Sequence, residues 1–187
     1  MRFDEFVHQS GIPFAPVKQF DGYLVDVAVP ADWVPVHSPP GPMAWVWRDD
    51  PCKERFCANA VLTMARVEAA LDPSEVFTMI CEWQVEMLPG IHEMHRDTAV
   101  EHEGSGLMGT LDLLINTDIG VLESVVMARV IATGEQMLIA QLTFTALPES
   151  SVRRSQIGFG VFPATPAAPA SRPFPGGTPV SGPVEAR

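Results

Sequence analysis

The chain has 187 residues and a formal net charge of -11, from 23 Asp and Glu against 12 Lys and Arg. That length suits one domain with a real core, hiding roughly 70% of the surface the unfolded chain exposes. The acidic balance repels phosphate backbones and no Lys/Arg cluster forms a basic patch, which argues against nucleic acid as a partner.

In "RFDEFVHQSG", Phe3, Phe6 and Val7 form a helical stripe, and Gly11 with Pro13 ends it. This N-terminus lacks the continuous apolar core of a signal peptide, and no stretch reaches the roughly 18 apolar residues of a membrane span. As written, the chain is expected to remain cytoplasmic.

"GYLVDVAVP" alternates as a strand does and stops at Pro30; "ADWVPVH" carries Trp33 out of it, "SPPGP" turns, and "MAWVWRD" resumes a strand. In "DPCKERFC", Cys52 and Cys57 are five apart, too wide for a redox CxxC, and no second CxxC makes a zinc site. With Cys81 the count is odd, so a complete disulfide framework is excluded and free thiols in a reducing compartment are expected. "CANAVLTMARVEA" reads as a further strand.

"LDPSEVFTMICEWQVEMLPG" predicts the clearest helix. Asp72 caps it, Pro73 opens it, and Val76, Met79, Ile80, Trp83 and Met87 recur at three and four before Pro89-Gly90. Cys81 sits one residue off that face and is expected to pack as a small apolar side chain. Four runs follow, "HEMHRDTAVEHEG", "GLMGTLDLLINT", "VLESVVMARVIATG" and "EQMLIAQLTFTALP", divided by Gly and Asp turns, as in an antiparallel meander. "GSGLMG" reads as a turn between strands, lacking the spacing of a phosphate-binding loop.

The first of those runs raises the question of a metal or acid-base site. A zinc site wants paired Cys/His clusters, and a helical zincin wants His at i and i+4. Here His92 and His95 are three apart, so on a regular strand they point to opposite faces. Glu101 and Glu103 share a face with His95, Asp97 and Ala99, while His102 lies on the other. The stretch therefore reads as the wet face of an exposed or edge strand. The alternative, a metal-dependent hydrolase or acid-base enzyme using His92, His95, Glu101, His102 and Glu103, requires a bulge that makes the histidines converge.

From Pro163, seven prolines in 25 residues and almost no core-forming side chains predict a disordered, partly polyproline tail. The expected division is a domain over residues 1–162 and a tail over 163–187. "SRPFPGGTP" in that tail would suit an adaptor making proline-directed contacts.

The ordered blocks resemble the LpqN/LpqT family of mycobacterial lipoproteins. "FDEFVHQSGI" then "VDVAVPADWVPV" is similar to that family's opening helix and P-x-x-W strand. "ANAVLTMARVEAALDPSEVFTMICEWQVEMLPG" is similar to its next strand and DP-started helix closed by LPG, and "LIAQLTFTAL" to its late strand. The resemblance covers about residues 1 to 162. It implies an α/β (α+β), PsbP-like fold, a central antiparallel sheet flanked by helices, association with the cell envelope, and protein or lipid partners. It supplies no catalytic residue and no cofactor. Two departures stand out: as written, the chain is expected to lack the family's leader and acylated lipobox cysteine, and "PESSVRRSQIGFG" stands where the family has a longer closing helix.

Two readings result. The first is a non-catalytic binding module, with a protein or an envelope lipid held on a sheet-helix platform and Trp33, Met79, Trp83 and Met87 nearest its apolar cleft. The second is the metal-dependent or acid-base enzyme described above.

Overall fold

Asp72 Oδ1 accepts hydrogen bonds from the backbone N–H groups of Ser74 (2.8 Å) and Glu75 (3.0 Å), satisfying two of the orphan donors at a helix start. The helix it opens, α2 (Pro73–Met87), is the longer of two helices in this computed structural model, which describes residues 3–37, 42–87, 90–100 and 106–164. The shorter, α1 (Phe3–Gln9), carries the Phe3/Val7 stripe read from the sequence.

The strands are β1 (Phe14–Pro16), β2 (Tyr23–Ala28), β3 (Val34–His37), β4 (Met43–Val46), β5 (Asn59–Val67), β6 (Ile91–Val100), β7 (Gly106–Thr117), β8 (Gly120–Thr133), β9 (Gln136–Ala146) and β10 (Gly158–Pro163). Among the described residues, eight of them form one antiparallel sheet in the order β3-β4-β5-β9-β8-β7-β6, with β1 paired to the far end of β5. The meander β6 to β9 is the expected one, and two-residue turns join β7 to β8 and β8 to β9. In the second, Gly134 takes φ +62°, a conformation glycine adopts without steric cost.

Strict alternation sends the two faces of this sheet into two cores. Val126, Ala128 and Val130 of β8 and Met137 and Ile139 of β9 face α1 and α2, whereas Met127, Ile131, Leu138, Leu142 and Phe144 face the other way. That second face is covered by a two-stranded antiparallel ribbon, β2 with β10, together with Phe20 and Trp33. The molecule is therefore an α+β, three-layer arrangement: helices, sheet, ribbon.

The ribbon departs from the sequence reading in two ways. "GYLVDVAVP" is a strand, but it pairs with the C-terminal segment rather than joining the meander. Within "PESSVRRSQIGFG" a 3-10 turn (Arg154–Gln156) leads into β10, and Gly158 stands opposite Ala28. Pro163 pairs with Tyr23, and Ala164 N–H reaches Gly22 C=O at 2.8 Å. The remainder of the expected tail, 165–187, lies outside the described residues.

A buried carboxylate ties the loop after β4 to the segment after β9. Asp50 is fully buried; Oδ1 accepts from Cys52 N–H, and Oδ2 accepts from Ala58 N–H at 2.9 Å and from Ser150 Oγ–H at 3.0 Å. Cys52, Cys57 and Cys81 are all free thiols.

Candidate functional site

"LIAQLTFTA" contains the key to the site. On the helix side of β9 the alternation runs Ile139, Gln141, Thr143, Thr145, so an apolar face turns polar halfway along the strand. Beside it on β5 lie Thr63 and Ala65, because Thr63 pairs with Gln141 and Ala65 with Ile139. Helix α2 covers the apolar end of this surface and does not seal the polar end. A cleft of about 590 Å³ results, floored by Thr63, Ala65, Ile139, Gln141 and Thr143 and walled by Phe3, Val7 and His8 of α1, Ile12, Phe14 and Pro16 after it, and Ile80, Trp83 and Gln84 of α2. Its volume is in the range of small-molecule sites.

The wall is braced by Phe3 against Phe14, ring centroids 5.9 Å apart in an edge-to-face arrangement. On the floor, Gln141 Nε2 is buried with no hydrogen-bond partner. An amide N–H stripped of water and left unpaired costs free energy. Among the described residues lining the cleft, His8 is the one titratable side chain, so the site offers no fixed charge.

The four side chains expected nearest a cleft do not stay together. Trp83 lines it. Met79 faces a separate shallow hollow between α1 and the start of α2, with Phe6 and Leu71. Met87 is half exposed near the end of α2, and Trp33 is buried on the opposite side of the sheet, its ring 6.4 Å from that of Phe144. The buried stripe of α2 is Val76, Phe77, Ile80 and Cys81 rather than the one through Met79 and Met87. The helix is rotated because Phe77 finds a hole over Gly109 in β7, where no side chain stands in its way. Gly109 thus lies in mid-strand, and only the beginning of "GSGLMG" falls outside β7.

The histidine-rich stretch is an edge strand, exposed along most of β6. One expectation for it is corrected. A bulge at Met94 shifts the register between Glu93 and His95, so His92 stands opposite Leu114 and His95 opposite Asp112, on the same face of the sheet. That face is the one turned away from the helices. Glu93 and Arg96 fall together on the helix side and form a two-pronged ion pair, Nε to Oε1 at 3.0 Å and Nη2 to Oε2 at 2.7 Å. Among the described residues no group of three His, Cys, Asp or Glu side chains is arranged to hold a metal ion. Glu101, His102 and Glu103 lie outside the described residues.

Cys81, on the core-facing side of α2, is fully buried. Burial pushes its thiol up to about 11, an effect that nearby Arg96 only partly offsets.

Comparison with known proteins agrees with this geometry. The family model described as probable lipoprotein LpqN matches residues 1–157. The crystal structure of LpqN of Mycobacterium tuberculosis, a protein involved in cell envelope biogenesis, superposes with a TM-score of 0.66 at 18% identity, covering 80% of this chain and 87% of that one. The Saccharomyces cerevisiae Ran-binding protein Mog1p superposes with a TM-score of 0.39 at 11% identity, over 74% of this chain and 80% of that one. No curated protein sequence matches the chain. Among the described residues no helix is long and apolar enough to cross a membrane.

Proposed function

This chain belongs to the LpqN lipoprotein family, and on that premise we propose that it is a non-catalytic binding protein that takes the apolar part of an amphipathic envelope molecule between α1, α2 and the sheet. One observation carries the reading. The helix side of the sheet is left open over about 590 Å³, walled by Phe3, Val7, Ile80 and Trp83, at the place where β9 turns polar. Apolar walls with a few convergent polar groups are the usual build of a site that holds a ligand by burial and orients it by hydrogen bonds. Among the described residues His8 is the one titratable side chain lining this cleft, and binding needs no catalytic set.

The family's tie to the envelope supports the lipid as the partner class. The proline-directed contacts expected of residues 163–187 are a separate activity that the cleft does not require.

The test uses N-phenyl-1-naphthylamine, whose fluorescence rises on entering an apolar site. The full chain is expected to bind it saturably and to release it to a neutral amphiphile such as monolaurin. Ala65→Phe, which fills the floor, is expected to abolish both while leaving the circular dichroism unchanged. Probe binding equal in the variant and the parent would remove the cleft as the site.

A further inference from the structure

The two edges of the eight-stranded sheet are built differently. β3 is four residues long and carries Pro35, which has no N–H to offer a further strand. β6, at the other edge, is ten residues long, contains neither Pro nor Lys, and among the described residues pairs with β7 alone. Its outer row of backbone N–H and C=O groups is a template for one more strand. We propose that β6 pairs antiparallel with β6 of a second copy of this chain, about a two-fold axis at His95, joining the two sheets into one.

The charges choose that register. Facing residues of paired strands must lie on one face of the sheet, so the axis falls at a residue and not between two. The bulge at Met94 puts Glu93 and Arg96 one step to either side of His95, both on the helix side, where they already form their ion pair. An axis at His95 therefore sets Glu93 of each copy opposite Arg96 of the other and, on the ribbon side, His92 opposite Asp97. The two ion pairs join into a ring of alternating Glu and Arg. An axis at Arg96 would face Arg96 with its own copy, and an axis at Glu93 would do the same with Glu93. Without the bulge, pairing about His95 would bring Glu93 against Asp97. Bulges and charges ordinarily deter pairing at an edge; here the bulge makes the charge pattern self-complementary. Met94, 61% exposed, is brought to the seam by both copies. No residue of β6 lines the cleft, so pairing at this edge and binding in the cleft are independent.

The experiment is sedimentation velocity of the full chain at pH 8, over a concentration series rising to about 200 μM, in about 0.15 M NaCl to screen its net charge. The parent is expected to show a monomer–dimer equilibrium. Glu93→Arg and Arg96→Glu are each expected to weaken it at least about tenfold, because each substitution sets like charges face to face on both sides of the axis. Mixed in equal amounts, the two variants are expected to form a heterodimer about as tight as the parent dimer, since every charge at the seam again meets its opposite. Glu82 of α2 also faces Arg96, so circular dichroism checks that Arg96→Glu folds. If it does not, Glu93→Gln takes its place and is expected to fall between the parent and Glu93→Arg; equal dimerisation of those three proteins would overturn the proposal. A parent chain that is monomeric throughout the series would also overturn it and leave the edge to a strand from a different protein. Dimers indifferent to both substitutions, or a mixture no tighter than either variant alone, would place self-association elsewhere and overturn it as well.

Discussion

Phe77 rests its ring edge on the backbone of Gly109: a Cβ built on the glycine would stand 2.3 Å from Phe77 Cε2 and 2.4 Å from Cζ. This contact sets the rotation of α2, and the rotation puts Ile80 and Trp83 on the cleft while Val76, Phe77 and Cys81 go into the core. Gly109→Ala should therefore act as overpacking beneath a ring that has nowhere to go. We expect a loss of about 2–3 kcal/mol, seen as a melting temperature lowered by roughly 5–10 °C. In a Phe77→Ala background, itself costing about 3–5 kcal/mol, the same glycine change should cost almost nothing, since the clash is gone. Thermal unfolding of the four proteins in this cycle checks the coupling; additive losses would mean that the two residues do not touch.

Asp50 is the second structural determinant. It joins two loops that are far apart in sequence, and each of its oxygens is occupied. Asp50→Ala leaves the buried Ala58 N–H without an acceptor, and about 3–4 kcal/mol of stability should go with it in urea unfolding. Ser150→Ala removes one donor and should cost about 1–2 kcal/mol.

Cys81 makes two expectations. In the native protein iodoacetamide at pH 8 should label Cys52 and Cys57, which are half-buried, and leave Cys81 untouched until denaturant is added; mass spectrometry counts the labels. The raised thiol also links folding to pH. The unfolded thiol, with an ordinary value of 9.0, loses its proton before the folded one at about 11, so between those values the unfolded state binds fewer protons and stability falls as pH rises. Cys81→Ala should flatten that alkaline decline and leave the curve below pH 8 parallel to the parent's.

Much of this architecture is legible in the sequence wherever local chemistry decides the outcome. Asp72 and Pro73 mark the start of α2, the spacing of Gly and Asp turns marks the meander, and the charge density of "HEMHRDTAVEHEG" marks an exposed edge. What is not legible depends on partners distant in the chain. The pairing of β2 with β10 joins residues about 130 positions apart and has no local signature. The bulge at Met94 adds one residue to a strand of mixed polarity, so alternation alone sends His92 and His95 to opposite faces when the register brings them to one. The face of α2 is set by Gly109, invisible from the helix's own stripe. One signal for the cleft does stand in the sequence: in "QLTFT" three polar residues alternate with apolar ones on a strand whose preceding residues are apolar on both faces.

The four tryptophans give the most direct test. Trp83 lines the cleft, whereas Trp33, Trp45 and Trp47 belong to the core on the other side of the sheet. Titrating monolaurin into isotope-labelled protein and following the indole N–H resonances should move the Trp83 signal, assigned with Trp83→Phe, together with the Gln141 side-chain amide. The other three indoles should hold their positions. Movement of the Trp33 and Trp47 signals with Trp83 and Gln141 unchanged would place binding on the ribbon side of the sheet and contradict the account.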